Sequence, residues 1–235
     1  MGASLREAIL AAADAVEASR EALCALDAET GDGDHGVTMA IGARGVRRQL
    51  TAVPGDDPAG LVRATAMGMA GAGGAIGPLY GRGLLAIATV LAGAGRDPVV
   101  SDGHQAVNGP SSSDAASLEL LRRCAAAAAE AVMALGRAGP GDKTVLDGLL
   151  PVEAALAGAE RDGAPLAAAL EAARAAAIAG AEATAGMAAA VGRSSRFGER
   201  SRGTPDPGAT SFAIIVAALV DATLAPATTP DAASA

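Results

Sequence analysis

The chain has 235 residues, 51% of them hydrophobic and 1% aromatic, with a formal net charge of −8. That length and apolar content suffice for one domain with one sizeable core, and the alanine-rich, tryptophan-free composition favours closely packed helices. The acidic balance excludes non-specific attraction to nucleic acid or to an anionic membrane, so neither is an expected partner, and a phosphate-bearing ligand would need a metal bridge.

Helix-period patterning predicts a first helix over about residues 4–26. Arg6, Glu7, Asp14, Glu17 and Arg20 interrupt it, so it lacks the apolar stretch of a signal peptide and a cytoplasmic location is expected. Cys24 here, like Cys124 later, sits in a helical run without metal-ligand spacing and reads as a buried free thiol of a reducing compartment.

The first glycine-rich loop follows, Asp27-Ala-Glu-Thr-Gly-Asp32-Gly-Asp34-His35-Gly36. Three carboxylates within eight residues repel one another unless a cation joins them. Hard oxygen donors on a glycine-permitted turn suit Mg²⁺, which takes a few carboxylates and completes its shell with water and substrate phosphates. A solvated acidic turn capping the next helix is the alternative. The spacing does not fit the calcium loop of an EF-hand.

Helices are predicted next over about 37–50, 58–70 and 78–94. Before the last lies Gly71-Ala-Gly-Gly74-Ala75-Ile76-Gly77-Pro78-Leu79-Tyr80-Gly81, where glycines admit a ligand close to the backbone and the following helix N-terminus favours an anion. The same glycines would equally serve close helix packing. Residues 64–95 are apolar, but Gly71, Gly73, Gly74, Gly77, Pro78 and Arg82 break them, so no membrane-spanning helix is expected.

Pro98 to Val100 is too short for a sheet strand, His104 receives no role, and Asn108 to Ser113 reads as a loop before Asp114, a candidate N-cap. A helix over about 114–137 leads to Gly139-Pro-Gly141-Asp142-Lys143-Thr144, which holds the one lysine among 18 basic Lys and Arg residues. Lys143 is either a charge aimed at phosphate or a partner of Asp142 that fixes the loop, and Thr144 is placed to start the next helix.

Helices over about 144–158 and 164–190 precede Gly192-Arg193-Ser-Ser-Arg196-Phe197-Gly198-Glu199-Arg200-Ser201 and Asp206-Pro207-Gly208-Ala209-Thr210-Ser211. Arginines there either clamp phosphate or form a solvated basic loop balanced by Glu199. A last helix over about 209–224 ends the fold, and Ala225 to Ala235 read as a disordered tail. The total is about eight helices and no sheet, with chemistry confined to the loops.

In this order and at these separations, the four loops resemble the L subunit, a DAK2-type domain, of dihydroxyacetone kinases over about residues 5–222. The matching residues are Asp27 with Gly31-Asp32-Gly-Asp34-His35-Gly36, Gly73-Gly74-Ala75 with Gly77-Pro78-Leu79-Tyr80-Gly81, and Gly141-Asp142-Lys143-Thr144. They continue through Gly192-Arg193, Gly198-Glu199-Arg200-Ser201 and Asp206-Pro207-Gly208-Ala209-Thr210-Ser211.

The resemblance implies an all-α, antiparallel eight-helix barrel, a nucleotide-binding domain over residues 1–224, with ADP or ATP held in loops at one end. Two Mg²⁺ ions would rest on Asp27, Asp32 and Asp34. His35, Gly36, Val37, Thr38, Ala75 and Ile76 would surround the phosphates, with Gly136, Val145, Arg193, Asp206, Pro207 and Gly208 completing the site. Ile76 departs from the serine usual in the family and removes a hydroxyl donor.

The implied chemistry is in-line phosphoryl transfer with no protein nucleophile or base, the aspartates acting as metal ligands. In the family the sugar-like substrate is held by a histidine of a separate K subunit, so the chain alone is expected to be catalytically incomplete. Of two family modes, fused ATP-dependent kinase or free-standing subunit recharged by a phosphohistidine carrier of the phosphotransferase system, separation from a K domain and His35 favour the second. A homodimer is a further expectation. Alternatives are an L subunit for another short ketose or polyol, a nucleotide-dependent regulator, and a purely structural helical scaffold.

Overall fold

The structure, a computed structural model, describes residues 3–94 and 112–226. Pro98 to Val100, His104, residues 108–111 of the expected loop and most of the expected tail lie outside the described residues. Among the described residues every element is helical.

The described residues form nine α-helices: α1 (Leu5–Ala18), α2 (Arg20–Ala28), α3 (His35–Leu50), α4 (Pro58–Ala70), α5 (Ile76–Ala94), α6 (Ser112–Gly136), α7 (Leu146–Arg161), α8 (Leu166–Ala183) and α9 (Pro207–Leu224). The first expected helix is thus two. It breaks at Ser19, beside the point where Gly36 of α3 reaches the Arg20 carbonyl so closely that a Cβ there would lie 2.0 Å from that oxygen. Counted as one bent stave, α1 and α2 restore the expected eight.

Each stave packs on the next, and α9 closes the ring against α1, giving an antiparallel helical barrel. Closure is visible in the backbone, where Ala3 N–H donates to the Ala222 carbonyl at 3.2 Å. Small residues set the spacing between staves. Gly45 and Gly68 bring α3 and α4 so near that a Cβ on Gly68 would lie 2.4 Å from the Val46 nitrogen. Met39, Leu61, Leu118 and Leu146 fill the interior among many buried alanines.

Several boundaries differ from expectation for local reasons. Asp114 lies in the first turn of α6, which begins at Ser112, and is not its N-cap. Helix α8 stops at Ala183, well before residue 190, because Thr184 folds its hydroxyl back onto the Ala181 carbonyl and receives the N–H of Asp206. The stretch Arg193–Ser201, expected as a loop, is wound into 3-10 turns with a kink at Gly198. Cys124 is buried and Cys24 only half-buried, both as free thiols.

Two helices, α5 and α9, are long and apolar enough to cross a membrane by length and composition alone, so the glycine and Arg82 interruptions do not remove α5 from that class. In the fold, α5 packs on α4 and α6, and α9 on α1 and α8.

The alternation of staves sorts the connections into two poles. Residues 29–34, 71–75, 137–145 and 184–206 gather at one pole, and residues 51–57 and 162–165 lie at the other. All four chemically distinctive loops of the sequence share the first pole.

Candidate nucleotide and metal site

Asp27 ends α2, and its Oδ2 accepts the N–H groups of Asp34 at 3.0 Å and His35 at 3.2 Å, so one carboxylate caps the start of α3. Gly33, at φ 76°, turns the loop back. Gly31 is required for contact, since a Cβ there would lie 2.2 Å from Asp27 Oδ1. The result brings one oxygen each of Asp27, Asp32 and Asp34 within 4.8 Å of one another.

Such a trio of hard donors fits a divalent cation. A positive group already claims the place: the Arg193 guanidinium pairs with Asp32 and lies 3.5 Å from Asp34 Oδ1. Desolvation pushes Asp32 upward, but Arg193 outweighs it and holds the carboxyl below the usual carboxylate range.

Beside this cluster opens a cavity of about 380 Å³. Its wall contains Asp27, Asp34, His35, Ala75, Ile76, Gly136, Val145, Arg193, Asp206, Pro207 and Gly208. Gly36, Val37 and Thr38 are not in it: Gly36 is buried against the Arg20 carbonyl, Val37 is exposed, and the Thr38 N–H continues the helix to the Asp34 carbonyl. Asp32 stands at the rim through its pairing with Arg193.

Leu79 of α5 and Val132 and Leu135 of α6 add an apolar wall beside Tyr80, and Lys143, Thr144 and Ser194 add polar groups. The helical spacing of Leu79, Val132 and Leu135 looks like ordinary core in the sequence, and only the assembled fold turns them toward a cavity.

A buried polar knot supports the floor. Ser211 Oγ donates to the Gly208 carbonyl at 3.0 Å, and lies 3.0 Å from His35 Nε2 and 3.3 Å from the Tyr80 hydroxyl. With the serine hydrogen committed to a carbonyl, its two lone pairs are met by His35 and Tyr80 as donors. Burial pushes His35 below the usual imidazole range against the pull of Asp27 and Asp34, and raises Tyr80 to about 12, so both sit neutral.

Lys143 lines the cavity, and its ammonium is held by backbone. Its Nζ donates to the carbonyls of Met187 at 3.3 Å, Thr204 at 2.7 Å and Ser201, while Asp142 turns to the Gly139 N–H. The lysine therefore pins the segment before α9, and its expected partnership with Asp142 is not formed. Asp147 accepts the N–H groups of Gly141 and Thr144, stiffening the same loop. Asp206 caps α9 through Ala209 N–H at 2.7 Å, and burial beside Asp147 raises it to about 7 despite Lys143.

A closed helical ring thus gathers an acidic trio, a glycine-rich turn and an arginine at one pole. The chain belongs to the DAK2 domain family, whose model matches residues 29–221, and within it to the L-subunit type of the dihydroxyacetone kinases, which are phosphotransferases.

The chain is 33% identical over 199 residues to the PEP-dependent dihydroxyacetone kinase ADP-binding subunit DhaL of Escherichia coli, covering 84% of this chain and 86% of that one. It is 35% identical over 216 residues to L-erythrulose kinase of Pectobacterium atrosepticum, spanning 90% of this chain but 33% of that enzyme. The native crystal structure of C. freundii dihydroxyacetone kinase superposes with a TM-score of 0.64 at 26% identity, over 92% of this chain and 34% of that one.

Proposed function

We propose that this chain is the nucleotide-carrying L subunit of a dihydroxyacetone-type kinase, holding ADP or ATP through two Mg²⁺ ions and passing a phosphoryl group to a ketose presented by a separate K subunit. The observation that carries the reading is the convergence of Asp27, Asp32 and Asp34 within 4.8 Å beside a cavity of about 380 Å³. The domain would run over residues 1–224 and work in the cytoplasm.

In this reading the three aspartates are the metal ligands, and Arg193 faces the phosphates. Ala75 and Ile76 offer the backbone at the start of α5, where N–H groups favour an anion. Ile76 brings no hydroxyl, so phosphate contact there falls to the backbone. Gly136, Val145 and the apolar wall from α6 would hold the base, and Asp206, Pro207 and Gly208 would close the far side. Bound magnesium would offset charge on the moving phosphoryl group, and the chain supplies position rather than a nucleophile.

The 33% identity to the PEP-dependent Escherichia coli subunit supports an L subunit recharged by a phosphohistidine carrier. Similar identity to erythrulose kinases supports a second reading, an L subunit acting on a four-carbon ketose.

Native mass spectrometry of the freshly purified chain, with and without EDTA, tests the assignment. Retained ADP with magnesium, lost on chelation and in Asp32→Ala, is expected. A chain that carries no nucleotide and also ignores added Mg·ATP would leave only the scaffold reading.

A further inference from the structure

The Arg193 guanidinium stands on two of the three carboxylates of the acidic trio, where a metal ion would compete with it. Arg193 pairs with Asp32 and approaches Asp34, the two exposed members, while the third, Asp27, is tied down by the N–H groups of Asp34 and His35. The pair is built to open: Arg193, Asp32 and Asp34 side chains are 44%, 51% and 51% exposed, and ion pairs in solvent cost little to break. Arg193 starts a short segment bounded by Gly192 at φ 74° and Gly198 at φ 51°, positions where the backbone can turn freely. On its other side the guanidinium rests against the 71–75 turn, with Nη2 3.6 Å from where a Gly74 Cβ would stand.

We propose that Arg193 is a surrogate cation, neutralising the acidic trio when no metal is bound and moving off Asp32 and Asp34 as metal arrives, which frees it for the anionic ligand of the neighbouring turn. This rests on the functional reading above, and adds an order to it. Metal alone must compete with an internal cation, whereas metal arriving with a polyphosphate does not, because the ligand gives the guanidinium a second place to go. Metal and nucleotide then bind with positive coupling carried partly by one side chain, and by linkage each strengthens the other equally.

The test uses the full chain freed of nucleotide, titrated with Mn²⁺ alone and followed by electron paramagnetic resonance of the free ion. Arg193→Gln is expected to bind Mn²⁺ about threefold or more tightly than wild type, the scale of one exposed ion pair. Metal-free, the variant should melt at lower temperature than wild type, with the gap closing at saturating Mn²⁺. Arg193→Lys, which keeps charge but not the fork, should fall between the two. Arg196→Gln is the control for lost positive charge, since Arg196 is exposed on the same segment and forms no ion pair among the described residues, and should stay within twofold of wild type.

Equal or weaker Mn²⁺ binding by Arg193→Gln, with wild type binding normally, overturns the surrogate role and leaves the metal site standing. An equal gain in Arg196→Gln overturns it too, by reducing the effect to net charge. Absence of Mn²⁺ binding by wild type with and without ADP removes both this proposal and the functional reading.

Discussion

Lys143 Nζ lies 2.7 Å from the carbonyl oxygen of Thr204, so the chain's one lysine ties the α6–α7 loop to the segment leading into α9. Lys143 is 2% exposed and holds a left-handed φ of 63°, and three carbonyls converge on its ammonium. Lys143→Met keeps the stem but strands those carbonyls. A loss of about 2–4 kcal/mol is expected in chemical denaturation, as for other broken buried networks. A stable variant with weakened nucleotide binding would instead make Lys143 a ligand group.

Ser211 is the hub between His35 of α3 and Tyr80 of α5. Ser211→Ala leaves the buried His35 and the half-buried Tyr80 without their acceptor, and should cost about 1–3 kcal/mol. Tyr80→Phe, which removes one of the donors, should soften that cost when combined with it. A double-mutant cycle measured by thermal denaturation reads the coupling directly.

Asp206 gives the protein a pH signature. Its folded pKa is raised to about 7 by burial, above the ordinary aspartate value, so between about pH 4 and 7 the folded state holds a proton that the unfolded state has released. Its contribution to stability is therefore present at the acid end of that window and lost as pH rises through 7. Asp206→Asn keeps a side-chain oxygen for the α9 cap and removes the titration. Unfolding free energy of the nucleotide-free variant should vary less over this window than that of wild type.

At Gly68 of α4 no side chain fits, because a Cβ would stand 2.4 Å from Val46 N and 2.5 Å from Val46 Cα. The obstruction is backbone and cannot rotate away. Gly68→Ala should therefore cost about 1–3 kcal/mol or more, offset little by its helix propensity. Gly93→Ala, with no atom of the described residues within 4 Å of the added carbon, should leave stability unchanged or raised. Comparison of the two melting temperatures checks the spacing of α3 and α4.

The helical class and the identity of the four loops were legible because both are local: alanine-rich 3.6-residue periodicity marks the staves, and Asp27, Asp32 and Asp34 lie within one turn of chain. The break at Ser19 was not, since nothing near it disrupts a helix and its setting is the approach of Gly36 from another stave. Lys143 was visible as an oddity, but its partners lie 44 to 61 residues away and are all carbonyls, which no side-chain pattern reveals. The apolar cavity wall of Leu79, Val132 and Leu135 carries the spacing of core residues, and only assembly decides which of them face a void.

Because the ring has an even number of staves, the chain returns to the pole where it began: Ala3 meets Ala222, and Arg6 holds the 50–55 turn by its carbonyls. The mouth of the cavity opens at the opposite pole. The first described helix thus starts, and the last one stops, on the far side from that opening, like a handle on a cup, and both leave the mouth clear for whatever must reach it.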